Sequence, residues 1–285
     1  MFTFAMRNLK LFFRDRPAVF FSLLAVFIII GLYVLFLGET VMGGLEGIPG
    51  ARFMMDSWIM AGLMAVTTVT TTMGAVGVVV DDKAKGIAKD FLTSPLKRTT
   101  LVGGYLISTL VVGVIMSLVA FVMAELYIVG SGGDFLPWAN LLKVLGLLVL
   151  STMASGAMMF FLVSFFKTQN SFGVASTVLG TLIGFLMGIY VPIGVLPGAV
   201  QTVIKIFPIS HAAALFRQVF MEVPMDISFV GAPSEMVLGF QANLGVIYQI
   251  GDHTVSSLTS VLILVCTSLL FFALGVWKMM RPSKR

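Results

Sequence analysis

Residues 101–129 read LVGGYLISTLVVGVIMSLVAFVMAELYIV, an apolar run with a single charged side chain, Glu125. A helix needs about 20 mostly apolar residues to cross the hydrocarbon core of a bilayer. This run is longer than that, so it predicts a membrane-spanning helix that tilts or extends beyond the bilayer. Glu125 lies about one turn from the end of the run, where a carboxylate can reach the interface.

Five more stretches meet the same criterion. The first of them has a positively charged start, as a signal peptide has, but it is too long for one and no small-x-small cleavage site follows it. Two seven-span alternatives would add 191–207 or 236–250, and either would place the C-terminal cations outside. We therefore predict an all-α polytopic membrane protein, a single domain over residues 1–285. Its six transmembrane helices are predicted at residues 19–37, 58–80, 101–129, 141–166, 171–191 and 255–280.

The composition supports this class. The chain has 285 residues, of which 58% are hydrophobic and 11% charged, and its mean hydropathy is +1.04. An ordinary soluble domain is about a quarter charged. These values exclude a soluble enzyme and a disordered chain. A nucleic-acid binder is excluded as well, because the cations lie at helix ends rather than on one face. The single cysteine, Cys266, rules out a disulfide framework within one chain.

The distribution of lysine and arginine predicts the orientation. If the N-terminus is cytoplasmic, all but four of the 18 lysines and arginines lie in inside segments close to the membrane. The four exceptions are Arg52, Lys143, Lys205 and Arg217. Because cytoplasmic loops carry an excess of these residues, we expect both termini to be cytoplasmic.

Residues 1–17 predict an interfacial helix ahead of the first span. Phe2, Met6, Leu9 and Phe13 share one helical face, and cations that include Arg14 occupy the rest. Such a helix lies on the cytoplasmic interface with its apolar face in lipid and its cations toward anionic headgroups. The alternative is a cluster of cations that only sets the orientation.

Residues 81–98, DDKAKGIAKDFLTSPLKR, form the most charged stretch of the chain. Ile87, Phe91 and Leu92 recur at helical spacing, and Ser94-Pro95 ends the pattern. A solvated loop does not need apolar residues on one side, so we favour a short helix that docks on a cytoplasmic partner. An aspartate-rich Mg²⁺-diphosphate site is disfavoured because lysines are interleaved with the aspartates.

The outer side carries an apolar segment that prolines and glycines interrupt. Residues 192–208 are too broken for a clean span, and non-helical backbone at membrane depth requires protein or a water-filled cavity around it. We predict a re-entrant pair of short helices within an external region over 192–254. The apolar stripe over 209–220 predicts an interfacial helix, and 222–254 an external loop.

Small residues recur every four positions along the fifth predicted span. They are Ser176, Gly180, Gly184 and Gly188. In lipid such a stripe lets two helices approach closely, either within one chain or between two.

The second predicted span is rich in threonine. Its hydroxyls can bond to the preceding helical turn, or they can form a mildly polar wall of a pathway. The candidates for pathway lining are Thr67, Thr68, Thr71 and Thr72. No lysine, arginine, aspartate or histidine is predicted at mid-membrane, so an ion-coupled carrier would lack its usual buried relay.

The chain shows no catalytic or metal motif. It has no Gly-Lys dipeptide and therefore no P-loop, and it has no zinc-helix motif or nucleophile elbow. We expect no catalytic residue, no metal site and no cofactor on this chain.

Three segments resemble the membrane subunit of type-2 ABC exporters, a family related to drug-resistance, nodulation-factor and capsule or O-antigen exporters. They are RNLKLFFRDRPAVFF at 7–21, Gln169-Asn170-Ser171, and VPIGVLPGAVQTVIKIFPISHAAALFRQ at 191–218. The loop after the second span also matches the family, at Gly86, Leu92, Ser94, Pro95, Leu96 and Arg98.

The resemblance implies a permease subunit in a bacterial or archaeal plasma membrane. Residues 81–98 would be the coupling helix that inserts into a separate ABC ATPase, with contacts at Gly86, Ile87, Phe91, Leu92, Ser94, Pro95 and Arg98. Two ATPase subunits would bind ATP and magnesium. The first and fifth spans would pack against a second permease, either a copy or a homologue, and the outer hairpins would close the exit.

The predicted function is therefore ATP-driven export of an amphipathic, drug-like, peptide or lipid-like substrate. Two other functions stay open: an ion-coupled carrier or channel that acts alone, and a membrane scaffold or sensor without flux. Transport by the isolated chain without ATP would indicate the former, and partner binding without flux the latter.

Overall fold

The computed structural model describes residues 1–37, 43, 45, 47–87, 90, 91, 97–251 and 253–280. The chain is helical except for one short pair of strands in these ranges, which fits the all-α prediction. Helices dominate because lipid offers no hydrogen bonds, so each backbone N–H and C=O must find a partner within its own segment.

Five segments are long and apolar enough to cross a membrane. In the first, helix α2 continues without a break into a π-helical turn at Tyr33–Leu37. The five helices are α2 (Arg16–Leu32), α3 (Ala51–Ala84), α4 (Arg98–Gly130), α5 (Trp138–Val163) and α11 (Ser257–Met280). Helices α3 and α4, with 34 and 33 residues, project beyond a bilayer as the sequence of the third span predicts.

The fifth predicted span, 171–191, corresponds to a helix that starts two residues earlier and ends five residues earlier. Its helix α6 (Gln169–Leu186) has 18 residues, or about 27 Å. It is absent from the five spanning segments because it begins with polar Gln169 and Asn170 and ends before Gly188.

The outer region contains short helices joined by tight turns. Pro192 and Pro197 stand directly before two of them, where a missing N–H does no harm. The elements are a 3₁₀ turn (Ile193–Val195), α7 (Gly198–Ile206), α8 (Ser210–Phe220), α9 (Glu222–Ser228), α10 (Ser234–Leu244), β1 (Gln249–Ile250) and β2 (His253–Thr254). Helices α7 and α8 meet at 88°, the geometry of a broken span or a re-entrant loop, and counting them as one span gives six.

Helix α8 is buried, which differs from the predicted interfacial helix. Ten of its eleven residues are enclosed among α3, α5 and α11. Alanines at 212–214 let neighbouring helices approach on the sides that the apolar stripe leaves free. A helix that is covered all round belongs to the core rather than to an interface.

Helix α3 lies at the centre of the molecule. It packs against α2, α4, α5, α6 and α8. Close approach depends on Gly113 of α4, where an added Cβ would meet the methyl groups of Thr152 and Thr72 at 2.6 and 2.8 Å. The helical core is thus built around a small-residue contact between α3, α4 and α5.

Candidate functional site

The first helix, α1 (Phe2–Arg14), has two different apolar faces. Phe2 and Met6 of the predicted lipid-facing stripe are 76% and 52% exposed, and Phe13 is exposed too, while Leu9 is half-buried. The second face is buried against α4 and comprises Phe4, Ala5, Asn8 and Phe12. Helix α1 is therefore part of the fold, with its other face free for lipid.

An ion pair joins α1 to the end of α3. Arg7 donates two hydrogen bonds to the Asp82 carboxylate, Nη1 to Oδ2 at 2.6 Å and Nη2 to Oδ1 at 2.8 Å. Tyr105 of α4 donates to the same Oδ2 at 2.7 Å. Asp82 is 2% exposed, so one buried carboxylate connects three helices. The hydrogen bonds with Asp82 raise the pKa of Arg7 above its ordinary value, which keeps the guanidinium charged.

The predicted docking segment packs on this ion pair. The Phe91 ring lies 5.0 Å from the Phe4 ring, edge to face, and the Arg7 guanidinium lies 5.2 Å from the Phe91 ring. Phe4 also packs edge to face against Tyr105, at 4.9 Å. Phe91 therefore contacts α1 and is half-buried, although the apolar pattern predicted that it would face a partner.

Three of the other predicted docking residues are described by the structure. Gly86 follows the last turn of α3 at φ +77°, a conformation that glycine adopts readily, and the chain turns there. Ile87 is half-buried and helical, and Arg98 at the start of α4 donates to the Met280 carbonyl at 3.1 Å. Leu92, Ser94 and Pro95 lie outside the described residues. The docking role of all these residues stays a prediction.

The loop before α6 is held to the same end of α3. Gln169 donates to the Gly77 carbonyl at 3.2 Å and to Asp81 Oδ1 at 2.7 Å. Lys83 donates to the Val163 carbonyl at 3.4 Å. This end of the molecule thus gathers α1, the ends of α3 and α5, and the starts of α4 and α6. We call it the α1 end.

The threonine stripe is fully buried in this structure. Thr67, Thr71 and Thr72 donate to carbonyls one turn earlier, at Leu63, Thr67 and Thr68 respectively. Thr68 does the same and also lies 3.1 Å from Ser155. The hydroxyls satisfy their own helix, so they contribute to packing here, and a role in lining a pathway stays a prediction.

The glycine stripe divides into two parts. An added Cβ at Gly180 would meet no atom within 4 Å, whereas at Gly184 it would clash with the Tyr190 ring of the same chain. Gly188 lies beyond the end of α6. Gly180 with half-buried Ser176 leaves a face open to another helix, while Gly184 serves the turn that follows α6.

Several charged residues are buried that the predicted spans did not include. Asp56, at the far end of α3, is 1% exposed, with Arg52 Nε 3.9 Å from its Oδ2. Arg217 of α8 is also enclosed. The charge distribution assigned its segment to the extracytoplasmic side, which stays a prediction. Within the described ranges, no cluster of three or more histidine, cysteine or acidic residues is suited to a metal ion.

The missed contacts differ in whether the sequence contains a signal for them. Phe4, Asn8 and Phe12 recur every four residues, so the sequence does contain a signal for this second helical face. The pairing of Arg7 with Asp82 has no such signal, because the two residues are 75 positions apart.

Comparison with known proteins places most of the chain in one family. Residues 51–277 match the family described as ABC-2 family transporter protein. No curated protein matches the chain. The matched range begins at the start of α3 and ends within α11, so it leaves out α1 and α2.

Proposed function

The chain belongs to the ABC-2 transporter family, and from this premise we propose that it is the membrane subunit of an ATP-driven exporter. Members of this family are the permease component of an ABC transporter and carry no ATPase of their own. We propose further that two separate ABC ATPase subunits, with ATP and magnesium, work on a pair of such permeases. The substrate would be amphipathic, drug-like, peptide or lipid-like.

The Asp82 carboxylate is the observation that supports this proposal. A partner that moves residues 87–91 also moves α1, because Phe91 packs on Phe4 and Arg7. Arg7 passes the displacement to α3 and α4 through Asp82 and Tyr105. Both helices are long enough to carry a rigid movement to the far side of a bilayer. In this arrangement the chain needs no nucleotide site of its own.

The location follows from the same proposal. A multi-pass chain of this family would lie in the plasma membrane, with both termini and the α1 end in the cytoplasm, where ATP is available. The excess of lysine and arginine in the segments at this end supports that orientation.

Assembly with an ATPase tests the proposal. The chain is co-expressed with a stand-alone ABC ATPase encoded beside it, and co-purification and ATP hydrolysis are measured. Ile87→Asp and Phe91→Asp should abolish both, because a carboxylate at these half-buried apolar positions would disrupt the docking segment. The matched control is Ile250→Asp, an exposed apolar residue of β1, which should change neither. Unchanged assembly and hydrolysis in the first two variants would contradict the coupling role.

An ion-coupled carrier is the second candidate, because Asp56 and Glu125 are buried acids. Among the described residues, both carboxylate oxygens of Asp56 and one of Glu125 have no hydrogen-bond partner. Asp56 lies near the start of α3 and Glu125 near the end of α4, so both lie at one end of the molecule and form no relay across the bilayer. Transport by the purified chain alone in vesicles distinguishes the two candidates. Uphill transport driven by an ion gradient and without ATP would favour this candidate over the exporter.

A further inference from the structure

A second polar junction lies at the other end of α3. Trp58 and Asp82 are separated by 24 residues of one helix, which corresponds to about 36 Å and is close to the thickness of a bilayer. Beside Trp58 lies Arg217 of α8, which is completely buried. Its guanidinium carbon lies 5.0 Å from the centre of the Trp58 ring. We call this end of the molecule the Arg217 end.

Backbone carbonyls, rather than acids, receive the guanidinium. Arg217 Nη2 donates to the carbonyls of Met187 at 2.8 Å and Gly188 at 2.9 Å, and Nη1 donates to that of Gly245 at 3.4 Å. Among the described residues Arg217 makes no ion pair. The three carbonyls directly follow α6 and α10. Two helix C-termini, each with about half a negative charge, thus take the place of a carboxylate.

The backbone at two glycines packs closely against the guanidinium. An added Cβ at Gly62 would lie 3.1 Å from Nη2, and one at Gly245 would lie 3.2 Å from Nη1. The Trp58 indole donates to the Leu244 carbonyl at 2.8 Å and so fixes the end of α10 beside the cation. The Arg217 side chain therefore connects four elements. They are α8, which carries it, α3, whose Trp58 ring it contacts, and the ends of α6 and α10.

Separation of Arg217 from these carbonyls carries a solvation cost. A guanidinium that leaves two helix C-termini must be rehydrated, because no acid among the described residues is at hand to pair with it. Among the described residues its Nε has no hydrogen-bond partner, so the site satisfies the cation only in part. Contacts of this kind separate two discrete arrangements of packed helices.

We propose that Arg217 is the latch that keeps the Arg217 end closed, a positioning residue that fastens the bent helix pair α7–α8 to the ends of α6 and α10. Release of the latch would let α8 move away from α6 and open a way out. The outward direction of this opening rests on the proposed export function, whereas the latch itself rests on the contacts of Arg217.

Cysteine labelling of the chain in nanodiscs tests the latch. In a Cys266→Ser background, Met187→Cys introduces a thiol that is buried beside Arg217, and Val80→Cys introduces an equally buried thiol at the α1 end. With a hydrophilic maleimide, Arg217→Met should raise the labelling rate at position 187 roughly tenfold or more, since bonds to a charged group are lost. Labelling at position 80 should not change.

Arg217→Lys gives a second measure with the charge retained. A compact ammonium lacks the fork that reaches both helix ends, so labelling at position 187 should again rise, to a smaller extent. Labelling equal to that of the Arg217 chain in both variants would overturn the latch. A parallel rise at position 80 would also overturn it, because it would show that the whole fold has loosened.

A third measurement separates a latch from a static structural contact. In the transporter assembled with its ATPase, Mg-ATP with vanadate should raise labelling at Met187→Cys while Arg217 is present. An unchanged rate would overturn the latch as a moving part. Failure to assemble would instead contradict the proposed function, and the comparison of Arg217 variants, which needs no ATPase, would stand.

Discussion

Asp82 and its neighbour Asp81 show how much burial changes the role of one side chain. Asp82 is enclosed and binds Arg7 and Tyr105. The side chain of Asp81 is 42% exposed and binds Gln169 and, at 3.5 Å, Lys85. Exposed ion pairs contribute little to stability, while removal of one partner from a buried pair leaves a charge without compensation.

We predict that Asp82→Asn lowers the free energy of unfolding by about 2 kcal/mol, because the bidentate bond from Arg7 is lost. Tyr105→Phe removes one hydrogen bond and should lower it by about 1 kcal/mol. Unfolding in detergent, followed by circular dichroism, measures both changes. Asp81→Asn is the matched control, with an expected change of less than about 1 kcal/mol. Equal effects of Asp81→Asn and Asp82→Asn would show that the contact with Arg7 adds nothing.

The sequence drew attention to single residues of the two ends, Phe91 and Arg217, but it did not indicate which residues they contact. Phe91 stood out because it repeats with Ile87 at helical spacing. That spacing shows that the residues share a face, and it cannot show whether the face is turned to α1 or to another protein. The charge count assigned Arg217 to an extracytoplasmic segment, and such a count gives the side of the membrane but not the burial of a side chain.

Among the elements, α1 offers a matched pair of phenylalanines. Phe4 packs against Phe91 and Tyr105, while Phe2 is 76% exposed. We predict that Phe4→Ala weakens the docking of α1 by about 3 kcal/mol, whereas Phe2→Ala leaves it unchanged. Trypsin cleavage at exposed Lys10 and Arg14 measures docking, because a helix must unfold locally to be cut. Cleavage should accelerate in Phe4→Ala alone, and equal rates in the two variants would contradict the docked arrangement.

Helix α6 offers a test of the open glycine face. A Cβ added at Gly180 would meet no atom of the described residues outside its own helix backbone within 4 Å. If a second permease packs there, Gly180→Leu should separate the pair, because small residues allow close approach in lipid. Val178→Leu, on the opposite side of α6, should have no effect. Chemical cross-linking in membranes reports the pairing, and pairs that survive Gly180→Leu would place the interface elsewhere.

The elements differ in how well the sequence predicts them. Helices α3, α4, α5 and α11 overlap their predicted spans because long apolar runs leave little choice in lipid. Helix α8 does not match its prediction, since an apolar stripe suits both an interface and a buried site. Tertiary packing decides between the two, and here α3, α5 and α11 cover it.

On the scale of the whole molecule, polar contacts concentrate at the two ends of α3. Arg7, Asp82 and Tyr105 form one junction, and Arg217 with two helix C-termini forms the other. Between them lie apolar side chains and hydroxyls that bond mainly to their own helices, with Thr68 also 3.1 Å from Ser155. Few polar bonds between helices would have to break if α3 and α4 moved as rods, so the ends control the movement.

The orientation of these two ends in the membrane is the last prediction. In a Cys266→Ser background, Lys10→Cys marks the α1 end and Ile250→Cys the Arg217 end, and both positions are exposed. Because lysine and arginine cluster at the α1 end, we expect an impermeant thiol reagent to label Ile250→Cys in intact cells. Lys10→Cys should react only after the membrane is permeabilised. The reverse pattern would place the Asp82 junction outside, away from any source of ATP, and the exporter mechanism would then have no site at which an ATPase could act.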